Sequence, residues 1–479
     1  MHSYFRSPVR TAVAALAVTI GVSGCNDFLR GPGISENPND PIAASLDALF
    51  VGMQGRQFVL QQGQLARQSA IWTQQLAGIF NQQREWGSQY NYTENDISGH
   101  YAGFYIGGGL NDLRKIQVEA QTAGNARLEG IAKVWEAFSM GTAASLWGDI
   151  VYSEAVTAEI ATPVLDPQEQ VYAAVQALLS SAITQLQGTS NTADLASDLV
   201  YSGRSDRWAR AANTLKARYF LHVAPRQGAA AYTAALNAAN AGINEAPTTT
   251  AQARHGQAPG DFRAFHGNTL DDGNIWAQFN EARTDLAANH RYVTVMLNRS
   301  DPRLQEYFSP AGDGVFRGAN QFGLSADGST DWSGLNRTVR VPRTFRQPFI
   351  TWAENQFIIA EAQFQLGQPG AALTAVNNVR AAVGLPALAG PITLEEIMVE
   401  KWIAQFQNVD AYSDYRRTCF PVLVPGGPSS PTPAAQVPGR FFYGSSERLQ
   451  NPNIPPPSQQ PAKNWNFAEI TCASSGGTI

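Results

Sequence analysis

A mainly α-helical fold, built as a stack of paired helices, is what this sequence predicts. Three observations carry that reading. Apolar residues recur at spacings of three and four over most of 42–245 and again over about 350–415, the period of a helix with one buried face. The joints between these segments are short and polar, which makes consecutive helices antiparallel neighbours. Strict alternation of apolar and polar residues, the mark of a half-buried strand, is rare.

The elements follow in order. Leu46, Leu49, Phe50, Met53 and Phe58 line a first helix, and Ala70, Ile71, Gln74, Leu76, Ala77 and Phe80 suggest the next. Leu110, Leu113, Ile116 and Val118 give a third that ends near Ala120. A fourth runs from Leu128 through Trp135 and Phe138 to Leu146 and stops near Gly148. Asp166-Pro167 supplies an N-cap and a first-turn proline for a fifth, lined by Val171, Val175, Leu179 and Leu186. Trp208, Ala212, Leu215 and Tyr219 mark a sixth, and an alanine-rich seventh lies near Tyr232 to Ile243. The clearest pair comes late, Trp352 to Leu366 and then Gly370 to Val383. Small residues at Ala132, Gly141, Ala143, Ala144, Ala360 and Ala372 stand where neighbouring helices would cross. The whole resembles a degenerate tetratricopeptide-like stack of helical hairpins.

Two regions differ. Residues 246–349 are rich in Gly, Asn, Asp and Arg with scattered aromatics, and are read as an irregular, loop-rich, ligand-facing region. A helix near Arg291 to Leu297 interrupts it. Residues 420–479 are rich in proline and are read as coil wrapping the body. The expected organisation is therefore a leader over 1–24, a tether over 25–41 and a single body over 42–479.

The leader has two arginines, Arg6 and Arg10, then an apolar run from Thr11 to Val22 and the small residues before Cys25. A basic start, a short apolar middle and a small-residue ending mark an export signal. The run is about a dozen residues, too short for a stable bilayer span. A cysteine directly after Val22-Ser23-Gly24 resembles the lipobox of bacterial lipoproteins, which implies acyl chains on Cys25 and a membrane anchor. The alternative is an ordinary cleaved signal with a chance cysteine. Of the three cysteines, Cys419 and Cys472 then remain, an even pair in an exported protein. They either bridge a proline-rich loop of about fifty residues or stay separate thiols.

Composition excludes some classes. Hydrophobic residues are 44% of the 479, enough for a large core, and charged residues are only 15%. Loss of the leader moves the formal charge from -5 to -7, and no basic stripe is present, so nucleic acid is not an expected partner. The six histidines have no H-x-x-x-H spacing, and a metal site is not expected. Neither a G-x-S-x-G elbow nor a G-x-x-x-x-G-K phosphate loop occurs. No cofactor is expected.

Several ordered motifs resemble the SusD/RagB family of outer-membrane lipoproteins, in its SusD-like branch. Asn37-Pro38-Asn39-Asp40-Pro41 is similar to the family's opening. Leu146-Trp147-Gly148-Asp149-Ile150-Val151-Tyr152-Ser153-Glu154-Ala155 resembles its W-G-D-V-P-Y-S-E-A, with Val151 in place of proline. Asp166 to Tyr172 resembles D-x-Q-E-x-V-Y, and Asp198 to Gly203 with Trp208, Asn213 and Arg218 follows the next block. Asp301-Pro302-Arg303-Leu304 and Ala360-Glu361-Ala362 continue the series. Pro438-Gly439-Arg440-Phe441-Phe442-Tyr443, then Glu447 and Asn451, resembles the closing motif, with Gly444 in place of proline. The resemblance implies a surface-exposed nutrient-binding lipoprotein and not an enzyme. Such a protein acts as a lid on a SusC-like TonB-dependent outer-membrane transporter, to which it passes oligosaccharide or peptide.

For Trp147, Gly148, Asp149 and Tyr152 the residues point to structure: the glycine ends a helix, the aspartate bonds its turn, and the rings fill the gap. Arg218, Arg380 and Arg440 are expected to pair with Asp198, Glu361 or Glu447. Aromatics in polar joints are the candidate ligand contacts, namely Trp86, Tyr90 and Tyr92, with Trp276 and Trp332 from the irregular region. Sugar rings stack apolar faces on aromatic rings while Asn, Asp, Gln and Arg bond their hydroxyls. Each of these rings can equally anchor its own loop to the helices. Two other readings stay open: a glycan hydrolase using acids of the irregular region, and a helical scaffold without ligand.

Overall fold

Amphipathic segments joined by caps and short turns set the architecture. The computed structural model describes residues 44–320, 330–423 and 437–472. Cys25 and the proline-rich stretch at 424–436 lie outside them, as do Phe322 and the rest of 321–329. The chain divides into two units, Met1–Ala48 and Leu49–Ile479. Of the first, only 44–48 are described, where Ser45 Oγ accepts from Ala48 N at 3.2 Å.

Helices dominate the described residues. The first are α1 (Leu46–Gln62) and α2 (Gln64–Trp72), then α3 (Glu94–Ala102), α4 (Leu110–Thr122) and α5 (Ala126–Trp147). Next come α6 (Gln168–Gln187), α7 (Ser205–Gln227), α8 (Ala229–Asn240) and the short α9 (Thr250–His255). Three more follow, α10 (Ile275–Ala282), α11 (His290–Asn298) and α12 (Leu304–Tyr307). The series ends with α13 (Trp352–Gln365), α14 (Pro369–Val383), α15 (Leu394–Ala404), α16 (Asp410–Thr418) and α17 (Ser445–Gln450). Packing runs in sequence: α4 on α5, α5 on α6, α6 on α7, α7 on α8, then α8 on α13 and α13 on α14. The expected stack of helical hairpins is the observed fold. Gly141 of α5 allows the close crossing with α7, since a Cβ there would lie 2.2 Å from the Tyr219 ring.

Residues 246–349 are mostly irregular among those described, and the helix expected near Arg291 to Leu297 is α11. They are not loop alone but hold α9 to α12 and most of three small antiparallel pairs. These are β1 (Leu76–Gly78) with β3 (Leu286–Ala288), β2 (Phe262–Arg263) with β6 (Pro348–Ile350), and β4 (Phe308–Ser309) with β5 (Gly334–Leu335). The register Leu76↔Ala288 corrects the second helix expected across 70–80. There α2 stops at Trp72, Gln74 takes a φ of 57°, and the chain extends into β1. A residue with a side chain at positive φ does not continue a helix, so the apolar spacing of Leu76 and Phe80 serves a strand and its exit.

The W-G-D segment and the closing motif meet, and both are structural. Gly148, at φ 80°, ends α5, and a Cβ there would sit 2.8 Å from Asn464 Oδ1. Asp149 does not bond its own turn. It caps α6 instead, its Oδ1 accepting from Gln168 N at 2.8 Å. Asp166, expected as that cap, accepts from Tyr152 N and Ser153 N and so pins the strand-like exit from α5. Trp147 Nε1 donates to Phe442 O at 2.6 Å, Tyr443 Oη to Asp149 O at 2.6 Å, and Tyr152 Oη to Glu136 at 3.0 Å. Beyond them Cys419 and Cys472 are joined by a disulfide, with Cα atoms 5.1 Å apart.

Aromatic rings fill the core. Trp135, Trp208, Phe262 and Phe349 pack edge-to-face or tilted, with centroids 4.8–6.0 Å apart in the Trp135 pairs. Each such pair contributes roughly 0.5–1.5 kcal/mol beyond its buried area. Buried arginines find partners other than those expected. Arg218 pairs with Glu354 and Asp410, Arg380 with Glu400, and Glu361 with Arg417. Arg440 lies over the Tyr443 ring at 4.6 Å, and Asp198 accepts from Trp208 Nε1 at 2.7 Å.

Candidate functional site

The five aromatic residues singled out from the sequence separate into packing and surface. Tyr92 is packing: its ring lies 5.1 Å from both Trp72 and Phe442, and its hydroxyl donates to Arg440 O at 2.7 Å. Burial pushes its pKa well up. Tyr90 is buried, at a φ of 58°. Trp276 is fully buried in the first turn of α10, which Asn274 caps by accepting from Trp276 N at 2.8 Å. Trp86 is half-buried in a single π-helical turn, Gln83–Ser88. Its carbonyl accepts from Gln68 Nε2 at 2.7 Å and Trp72 Nε1 at 3.3 Å, tying that turn to α2. Trp332 is half-buried and meets an exposed ring.

That ring is Phe80, which is 49% exposed and lies 6.5 Å, centroid to centroid, from Trp332. Trp332 packs on a small apolar floor of Ala77, Ile79, Ala287 and Ala319 made by the β1–β3 pair and its flanks. A large apolar side chain half in water beside a second aromatic ring has hydrophobic area still to bury. Polar groups follow directly. Asn81 donates to Asp285 Oδ1 at 2.9 Å, and Asp285 Oδ2 lies 3.6 Å from Arg283 Nη1. Arg283 stands 5.7 Å from the centre of the Phe279 ring, whose other neighbour is the Arg67 guanidinium at 4.3 Å. Arg67 also lies 6.0 Å from the Trp276 ring. The result is a continuous strip, Trp332–Phe80–Asn81–Asp285–Arg283–Phe279–Arg67. Its exposed members are Phe80, Asn81 and Arg283, its rings Trp332 and Phe279 are half-buried, and Asp285 and Arg67 lie buried beneath; rings beside polar groups are what a sugar-binding surface requires.

Of the expected contacts only Trp332 belongs to this strip. Sequence spacing puts Phe80 on a helix face, and nothing in it places Phe279, Arg67 or Arg283 beside that ring. The 80–85 segment and α10 are about two hundred residues apart and meet because β1 pairs with β3. An aromatic followed by Asn at the end of a strand was the only local signal.

No group of three or more His, Cys, Asp or Glu side chains is placed to hold a metal ion among the described residues. No described helix is long and apolar enough to cross a membrane.

Comparison with known proteins places the fold. A family model described as SusD-like, starch-binding associating with outer membrane, matches residues 38–385. Among solved structures, one named as a chitin-binding protein is 20% identical, with a TM-score of 0.71 over 88% of this chain and 100% of its own. A chitin-binding SusD homolog from Flavobacterium johnsoniae is 20% identical, with a TM-score of 0.69 over 88% and 99%. A SusD homolog from Bacteroides uniformis is 19% identical, with a TM-score of 0.72 over 89% and 99%. No curated protein matches this chain.

Proposed function

The chain belongs to the SusD-like family, and from that premise we propose that it is a glycan-binding protein of the outer membrane. The observation that carries the reading is the strip of exposed Phe80 and half-buried Trp332 and Phe279, with Asn81 and Arg283 at the surface beside them. Its rings offer stacking faces, and the exposed Asn81 amide and Arg283 guanidinium can bond hydroxyls. The family description and the names of two chitin-binding structural neighbours support an oligosaccharide as the ligand class. Acyl chains on Cys25 hold the body to the membrane surface through the 25–41 tether. Ligand passes from the strip to a SusC-like TonB-dependent transporter, for which this protein acts as a lid rather than as an enzyme.

Calorimetry with chitin and starch oligosaccharides tests the binding site. Saturable binding by the native protein, weakened about tenfold or more in both Trp332→Ala and Phe80→Ala, is expected, since a lost stacking contact of 1.4 kcal/mol is one decade. Binding left unchanged in both variants removes the strip from the account. A pull-down from native membranes in mild detergent tests the partner, and recovery without a large β-barrel argues against transport.

A further inference from the structure

Beside the strip, on the other side of Arg67, lies a cavity of about 310 Å³. Arg56, Gln64, Arg67 and His100 bring polar groups to it, and Gly63 and Gly99 keep its wall low. The volume is in the range that takes a small molecule. Its chemistry is one-sided. The Arg67 side chain is 8% exposed, and its Nε and Nη2 both donate to Gln64 Oε1, at 3.3 and 3.2 Å. Its Nη1 is buried with no hydrogen-bond partner. Among the described residues no carboxylate pairs with it; burial first, then the Arg283 charge, lowers its pKa to about 9. His100 Nδ1 is likewise buried without a partner. Burial first, then Arg67 and Arg56, hold the His100 pKa down to about 4.

A buried guanidinium left without an anion is costly, because its lost hydration is not replaced. Here Arg67, His100 and a second, exposed cation, Arg56, line open volume, and no acid is among the residues that line it. We propose that this cavity binds an oxyanion, a carboxylate or sulfate group, held by the Arg67 guanidinium with His100 beside it and Arg56 at the rim. The cavity is large enough for the anion to arrive on a sugar ring, so the ligand class includes acidic saccharides. The site shares Arg67 with the strip but not its Trp332–Phe80 end, so an oxyanion can seat here whether or not neutral glycan binds at Trp332.

Calorimetric titration of the purified protein with sodium glucuronate, sodium sulfate, sodium acetate and glucose, at fixed ionic strength, tests this. Glucuronate is expected to bind saturably where glucose does not, and Arg67→Met is expected to weaken it at least about tenfold, as for loss of a charge-assisted contact. Arg56→Gln, at an exposed position, is expected to weaken it a few-fold. Sulfate or acetate binding without glucuronate assigns the pocket to a free ion and leaves the anion chemistry standing. The proposal is overturned if none of the three anions gives saturable heat, or if Arg67→Met and Arg56→Gln both bind as the native protein does.

Discussion

Two sets of buried arginines occupy this molecule, and they are treated in opposite ways. Across the helical stack, Arg218 of α7, Arg380 of α14 and Arg417 of α16 each meet a buried carboxylate from another helix. In the Arg417 cluster, Glu361 and Asp414 answer Arg417, and Lys401 answers Asp414 at 2.8 Å. Arg67 of α2 has a glutamine, two aromatic rings and a cavity. The first set joins helices that must not move; the second leaves charge unspent beside open volume. Arg340 and Arg416 are also buried without a carboxylate, but backbone carbonyls and aromatic rings satisfy them; Arg67 differs in having Nη1 unpartnered and a cavity beside it.

Breaking a pair in the stack gives the largest effect. Glu361→Ala leaves the Arg417 guanidinium buried with only Asp414, and is expected to cost about 3–5 kcal/mol in urea unfolding, the range for an orphaned buried charge. A loss below about 1 kcal/mol would erase the contrast.

Asp261 sharpens it, because its carboxylate has no buried cation and only two backbone donors, Trp352 N and Ala258 N, both at 2.7 Å. Burial raises its pKa from 3.8 to about 7. A carboxyl whose pKa is higher folded than unfolded holds its proton longer in the native state. Its contribution therefore favours folding at low pH and is lost as pH rises from about 4 to about 7. The native protein minus Asp261→Asn should show a stability difference that falls by a figure on the order of 2–4 kcal/mol over that range. A flat difference between pH 4 and pH 8 would show that the carboxylate is adequately solvated where it lies.

The smallest effect belongs to Arg67. Arg67→Met keeps apolar contact with Phe279 and removes an unpaired charge, so unfolding free energy should change by less than about 1 kcal/mol. A loss as large as that of Glu361→Ala would make Arg67 one more structural ion and merge the two sets.

How much of this was legible follows the range of the interactions. Helices α5, α6, α7, α13 and α14 announce themselves because their buried faces repeat every three or four residues within one segment. The same spacing misled at Leu76, Ala77 and Phe80, where a positive φ at Gln74 and a partner strand two hundred residues on convert the pattern to β1. Asp149 and Asp166 exchanged their expected roles for a similar reason: both carboxylates can reach a free backbone N–H, and packing decides which one each reaches. The strip was only partly visible. Trp332 stood out as an aromatic in polar sequence, but Phe80 was absorbed into a helix face, and Trp276 turned out to be core. Arg67 carries no local mark at all, since its isolation depends on which acids are absent from elements distant in the chain.

The meeting of Trp147 with Phe442 has a consequence for the order of events during synthesis. These two residues are 295 positions apart, and the bond between them closes the end of the central helix. A ribosome releases the front of the stack long before the piece that seals it. Until that tail arrives, the indole edge and the rings around it are open to solvent and to other unfinished chains, so a stop late in the message should be far more damaging than the small mass it removes would suggest.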